Sequence, residues 1–230
     1  MKYPAVLLLF LALVAGLFCP PNLAAQTSFE VLKDAKKIEI PFEYQNNLLV
    51  VSVLYERIFP LKFIFDTGAE HTILAKKEIA DMFGVRYERE FKLLGTDMKT
   101  ELLAYLVRGI HLKVGNLVLP NHSMLVLGDD YLHLDQITGE EIHGILGADA
   151  FRGVVLKINY ERKIITLQRA STFKSPGDDY EQISIDVHRN KVYLKANLQI
   201  QQDTPFNVKL LLDTGASPSL LMNTNTHPDL

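Results

Sequence analysis

"FIFDTGAEHTIL", residues 63–74, decides how this chain is read. Three apolar residues run into Asp66, pass through Thr67 and Gly68, and give way to a polar patch before Ile73 and Leu74. A carboxylate ending a buried strand costs several kcal/mol unless something compensates it. A turn would account for one such corner, because Asp-Thr-Gly is turn chemistry and a glycine is free to adopt positive φ. The corner occurs twice, however. "LLLDTGASPSLL", residues 210–221, repeats the apolar run, then Asp213, Thr214 and Gly215, an alanine and renewed apolar residues.

The surroundings repeat too. The stretch from Ile38 to Leu74 lies beside the stretch from Ile183 to Leu221. Asp66 and Asp213 are 213 − 66 = 147 apart, and Ile38 and Ile183 are 183 − 38 = 145 apart, so two inserted residues bring the copies into register. Both read strand, turn, strand, loop, strand, Asp-Thr-Gly. This predicts an internal duplication, two lobes of one architecture. The first lobe is expected over 36–170 and a polar linker over 171–181. Residues 182–230 would form the N-terminal part of a second, incomplete lobe.

Within the first lobe, strands are expected at 37–44, 48–55 and 61–65, separated by turn residues. Residues 75–84 predict a helix with Ile79, Met82 and Phe83 on one face and Gly84 as its stop. Strands resume over 90–119, with turns at Gly95-Thr96-Asp97 and Gly115-Asn116. "GILGADAF" (144–151) reads as a strand, a tight turn and one helical turn, and 154–168 as a hairpin around Tyr160 to Arg162.

The 230 residues are 48% hydrophobic and 22% charged with a formal net charge of −3, ordinary globular composition with no basic run for nucleic acid. Residues 1–25 carry one lysine, an uncharged apolar run from Ala5 to Cys19, then Pro20-Pro21 and small residues. The run is short for a bilayer span, which takes about 20 apolar residues, and fits a secretory signal cleaved near Ala25. An uncleaved N-terminal anchor is the alternative; lipidation at Cys19 is disfavoured by the bulky Phe18 before it. An exported protein, periplasmic, surface-bound or secreted, is expected, with no stable membrane span once the signal is removed. Cys19 is the single cysteine, so the mature chain would have no disulfide, thiolate chemistry or cysteine-based metal site.

Two Asp-Thr-Gly corners in contact would form a paired-carboxylate site. Such a pair shares one proton, leaving one acid and one base near working pH. The base would deprotonate a water attacking an amide carbonyl while the acid assists the carbonyl oxygen. Gly68 and Gly215 would admit the close approach, and Thr67 and Thr214 could hydrogen-bond across the pair.

On these residues the chain resembles the retropepsin-like aspartic proteases. Asp66-Thr67-Gly68-Ala69 matches that family's active-site motif. Ile145-Leu146-Gly147, 147 − 68 = 79 residues after Gly68, matches its second hallmark, a segment that in the family threads behind the catalytic loop. The resemblance implies an all-β, closed acid-protease barrel with few short helices, and an aspartic endopeptidase with catalytic Asp66 and Asp213 and no cofactor or metal. It also implies a flap hairpin over the cleft, for which 91–102 with Gly95 and Thr96 near the tip is the candidate, and an extended peptide or protein substrate. Glu70 departs from the family's usual Ser or Asp; the second copy has Ser217. Because the second corner lacks its own apolar-apolar-Gly support, pairing within one chain and pairing between two chains both stay open.

Other chemistries fit less well. An aspartate phosphoryl-transfer site needs a second acid two residues on, where Gly68 stands. His111, His122 and His133 recur every 11 residues without a His-Glu-x-x-His pattern; they read as scattered surface histidines, with His133 and Asp135 in a loop. The rival from another class is a non-catalytic barrel that binds peptides or scaffolds a partner and keeps the Asp-Thr-Gly turns as structure.

Overall fold

The computed structural model describes Leu32 and residues 35–94, 101–199 and 205–222, with only the backbone described for 93 and 94. Strands β1 (Lys37–Pro41), β2 (Glu43–Gln45), β3 (Leu48–Tyr55) and β4 (Phe59–Phe65) lead to the first Asp corner. Strand β5 (Ile73–Leu74) leaves it, followed by helix α1 (Lys77–Met82). Three long strands then form a meander: β6 (Tyr87–Leu94), β7 (Glu101–Val114) and β8 (Leu117–Leu127). After helix α2 (Leu134–Thr138) come β9 (Gly144–Leu146), a 3-10 turn (Ala148–Ala150) and the hairpin β10 (Val155–Asn159) and β11 (Ile164–Gln168). The C-terminal part adds β12 (Ile185–His188), β13 (Lys191–Leu198) and β14 (Phe206–Leu211).

The main sheet runs β2-β3-β4-β9-β5-β8-β7-β6, and an additional β3–β7 pairing closes it into a barrel. A second sheet, β1-β11-β10, supplies Ile38, Ile40, Ile165 and Leu167 to the core formed with Leu49, Val51, Val53, Leu61 and Phe63. The protein is thus all-β with a few short helices, as the sequence pattern predicts. Among the described residues no helix is long and apolar enough to cross a membrane.

Two local expectations change. In α1 it is Ile79 and Ala80 that are buried, while Met82 is 61% exposed. The helix is under two turns long, and Phe83 beyond it packs its ring against Tyr55 and Phe59, so the face is set by Ile79, Ala80 and Phe83. The stretch around His133 and Asp135 is not a plain loop: α2 starts at Leu134, and the Asp135 carboxylate accepts the Ile142 N–H at 2.9 Å.

The C-terminal sheet has the strand order β12-β13-β14 and the local geometry of β2, β3 and β4. Both hairpins turn on two residues in the left-handed region, Asn46 and Asn47 (φ 47° and 67°) and Arg189 and Asn190 (φ 50° and 62°). Paired left-handed residues match the twist of the flanking strands. From turn to aspartate the first stretch spans 66 − 46 = 20 residues and the second 213 − 189 = 24. The last rungs, Tyr55↔Phe59 and Leu198↔Phe206, put the four extra residues between β13 and β14. The insertion at this point is therefore four, where the Ile38 and Ile183 spacing suggested two. A loop absorbs such a difference at small entropic cost.

Register places Ile185, Val187, Val192, Leu194, Ala196, Val208 and Leu210 on one face of this sheet. The matching face of the first barrel (Leu49, Val51, Val53, Leu61, Phe63) is 0–2% exposed. Here Ile185 and Val187 are 52% and 65% exposed, and no described residue beyond Leu167 is buried.

Candidate active site

Strand β4 ends by delivering Asp66 into the interior. Its N–H donates to the Leu146 carbonyl at 3.0 Å. Its Oδ1 accepts the N–H groups of Gly68 at 2.6 Å and Ala69 at 3.1 Å. Strand β14 delivers Asp213 in the same way, with Oδ1 accepting the Gly215 N–H at 2.8 Å. The two corners face each other. A Cβ on Gly68 would lie 2.5 Å from the Asp213 Cγ, and one on Gly215 would overlap the Asp66 carboxyl. Neither glycine has positive φ; each is needed because the other corner's carboxyl occupies the space of a side chain.

The threonines cross between corners. Thr67 N–H donates to Thr214 Oγ1 and Thr214 N–H to Thr67 Oγ1, both at 3.1 Å. Thr67 Oγ1 donates to the Leu212 carbonyl and Thr214 Oγ1 to the Phe65 carbonyl, both at 2.8 Å. The second corner also rests on the first hairpin turn, where Ser217 Oγ donates to the Asn46 carbonyl at 2.9 Å.

Burial, and then the charge and hydrogen bond of Asp213, push the Asp66 carboxyl up to about 8, against the Gly68 and Ala69 N–H groups that favour the carboxylate. Two carboxyls this close retain one proton between them through neutral pH.

Strand β9 holds the first corner from behind. It lies between the corner's two arms, parallel to β4 (Ile64↔Ile145, Phe65↔Leu146) and antiparallel to β5 (Ile73↔Ile145). Leu146 is fully buried. A Cβ on Gly147 would run into the His71 carbonyl, and one on Gly144 into that of Ile73. The Ala148 N–H donates to the Ala69 carbonyl at 2.9 Å.

Four residues at this support had escaped sequence reasoning as a group: His71, Thr72, His122 and Asp149. Both Asp149 oxygens lie 3.0 Å from the Thr72 N–H, and Oδ1 accepts Thr72 Oγ1–H at 2.8 Å. Burial opposes the charge of Asp149, but His71 and the Thr72 N–H and hydroxyl outweigh it and hold the carboxyl below the usual carboxylate range. With its one hydrogen spent on Asp149, Thr72 Oγ1 accepts from His122 Nε2 at 3.0 Å, which assigns the proton of neutral His122 to Nε2. Burial holds the His122 imidazole below its ordinary value. His122 is therefore not a surface histidine: β8 turns it inward and leaves it 7% exposed. The signal for Asp149 was an acid among small apolar residues directly after Ile-Leu-Gly.

The strands flanking the flap candidate are paired, Leu94↔Glu101 being the last rung; Gly95 and Thr96 lie outside the described residues. Among the described residues, no group of three or more His, Cys, Asp and Glu is arranged to hold a metal ion.

The chain thus combines a closed β barrel with an Asp-Thr-Gly corner backed by an Ile-Leu-Gly strand. Residues 53–150 match the family model described as aspartyl protease. Among solved structures the chain is similar to a retropepsin-like aspartic protease from Rickettsia conorii, at 18% identity and a TM-score of 0.40, covering 58% of this chain and 100% of that one. No curated protein matches the chain.

Proposed function

We propose that the protein is an aspartic endopeptidase whose dyad, Asp66 and Asp213, assembles within one chain from two copies of a duplicated unit. The reciprocal bonding of Thr67 and Thr214 carries this reading, because it makes the two corners one rigid unit with their carboxyls side by side. With one proton on the pair, the ionised carboxyl takes a proton from a water as its oxygen attacks the scissile carbonyl. The protonated carboxyl donates to the carbonyl oxygen, giving a neutral tetrahedral intermediate. Collapse of that intermediate breaks the C–N bond as the amide nitrogen is protonated. A peptide would lie extended beneath the β6–β7 hairpin, paired as an added strand. The reading requires neither metal nor cofactor.

Residues 1–25 are assigned as a cleaved secretory signal and the mature protein to a location outside the cytoplasm. A mature N-terminus near Gln26 tests that assignment.

One observation favours the non-catalytic reading, a peptide-binding or scaffolding barrel. The sheet behind the second corner has an apolar face on which no residue is buried, and no described segment backs Asp213 as β9 backs Asp66. Hydrolysis of a casein-like substrate from pH 4 to 8, with and without a statine-type inhibitor, separates the two. Inhibitor-sensitive cleavage lost in both Asp66→Asn and Asp213→Asn supports the single-chain dyad. Cleavage surviving Asp213→Asn alone assigns the second carboxyl to another copy of the chain. Cleavage surviving Asp66→Asn sinks the catalytic assignment.

A further inference from the structure

The segment from Asp66 to Thr72 is tied to the chain behind it at three points: Asp66 N–H to the Leu146 carbonyl, Ala69 carbonyl to the Ala148 N–H, and Thr72 to the Asp149 carboxylate. The third anchor is a buried acid whose side chain is 15% exposed. Thr72 gives it dipoles but no countercharge. His71 stands beside it, with Nδ1 at 3.7 Å from Asp149 Oδ2 and Nε2 at 4.0 Å from Glu70 Oε1. Its side chain is 37% exposed, so it can exchange a proton with solvent while standing beside a more enclosed carboxylate. From Gly147 to Asp149 the supporting segment passes directly beneath the His71 carbonyl, where it tolerates no side chain at Gly147.

We propose that His71 is a positioning residue for the Asp66 corner: its imidazolium, ion-paired to Asp149, locks the corner onto its support, and loss of that proton loosens it. The proposal rests on the protease reading for its consequence in catalysis but not for the switch itself. The groups facing His71 from the elements around it are Asp149 on the 3-10 turn, Glu70 on its own turn and Lys191 on β13. Asp149, foremost, and Glu70 favour the charged imidazole, whereas burial and Lys191 oppose it, and the net direction is upward from an ordinary histidine. Neutral His122 also stands near the acid, its Nε2 3.8 Å from Asp149 Oδ1, and Arg152 acts on His122. Thus at mildly acidic pH the Asp149 anchor would combine an ion pair with two hydrogen-bonding groups of Thr72, and above the His71 titration it would rest on Thr72 alone, the two backbone anchors being unchanged.

The sign follows from linkage. A histidine whose folded-state pKa is raised contributes stability that is complete below its unfolded value of about 6.5 and is lost as pH rises through the folded value.

The test is made in an Asp66→Asn, Asp213→Asn background, which removes the dyad's own titration and needs no activity. Side-chain NMR follows His71, and backbone NMR follows the Gly68 and Ala69 amides, from pH 5.5 to 8.5. The expected result is that His71 titrates above an unperturbed histidine and that the two amides shift with the same midpoint. His71→Gln abolishes their shift, and the thermal midpoint, which falls by about 3 °C across the window with His71 present, becomes flat. Asp149→Asn lowers the His71 midpoint; if that buried variant does not fold, His71→Gln alone decides. A His71 midpoint at or below that of a free histidine, or amide shifts that persist in His71→Gln, overturns the proposal. Failure of the protease reading would show separately, as an absence of hydrolysis with the His71 titration intact.

Discussion

Thr67 and Thr214 exchange hydrogen bonds, each N–H donating to the other's hydroxyl and each hydroxyl donating to the carbonyl just before the other's aspartate. Valine has nearly the shape of threonine without the hydroxyl, so either Thr→Val change leaves an N–H and a carbonyl unpaired. An unsatisfied buried group costs about 1–3 kcal/mol. Thr67→Val and Thr214→Val are each expected to lower stability by that amount and kcat/KM by roughly 10- to 100-fold. Because both break one reciprocal set, the double variant should fall well short of additive. Denaturant titration and peptide hydrolysis on the three variants measure this, and full additivity would separate the two corners.

Gly68 and Gly215 test the closeness of the carboxyls directly. The Cβ of Gly68→Ala would lie 2.5 Å from the Asp213 Cγ, far inside van der Waals contact. The corner's backbone is held by β9, so the carboxyl must move. Each Gly→Ala change is expected to preserve the β-sheet circular dichroism spectrum and to remove more than about 100-fold of kcat, since misplacements of about 1 Å cost that much. A fully active Gly68→Ala enzyme would mean that the corners stand further apart in solution.

The proton shared by the dyad sets the pH dependence. Asp66 is raised to about 8, so the folded protein holds a proton that the unfolded chain releases near 3.8. The folded state then binds more protons between these values, and stability falls as pH rises, by about 1.4 kcal/mol per unit where the difference is complete. Asp66→Asn is expected to flatten that slope and to be more stable than the parent protein at pH 7, while being inactive. Asp213→Asn removes the charge repulsion but not the burial, so it should flatten the slope only in part. The same proton requires activity to fall as pH rises through about 8.

Much of this arrangement was legible in the sequence because it is local. Strand alternation, the left-handed hairpin residues and the two Asp-Thr-Gly corners each occupy a few consecutive positions. Ile145-Leu146-Gly147 was legible as a motif, but the reason for its glycine, the overlying His71 carbonyl, was not. The contacts of Asp149 with Thr72 and of Thr72 with His122 join residues 77 and 50 positions apart, and nothing in the composition of either partner announces the other. Met82 misled for the opposite reason: an apolar residue at helical spacing sat on a helix too short for the period to decide its face. The four-residue insertion was obscured because the similarity of Ile38 and Ile183 suggested a nearer match than the strand register supports.

The matched sheet faces give a last prediction. Phe63 and Leu210 occupy equivalent places, each 66 − 63 = 3 and 213 − 210 = 3 residues before its aspartate. Phe63 is 0% exposed and packs within the barrel core. Leu210 is half-buried on a face where no residue is buried. Truncating a buried phenylalanine costs about 3–5 kcal/mol through lost transfer energy and the cavity left behind, whereas a half-exposed leucine leaves no enclosed cavity. Phe63→Ala is therefore expected to cost at least 3 kcal/mol and Leu210→Ala under about 1.5 kcal/mol. Amide exchange should show the same contrast, with β13 and β14 exchanging far faster than β3 and β4, because exposed backbone hydrogen bonds over few buried contacts open locally. Equal protection of the two sheets, together with a large cost for Leu210→Ala, would show that the apolar face of the second sheet is covered in solution.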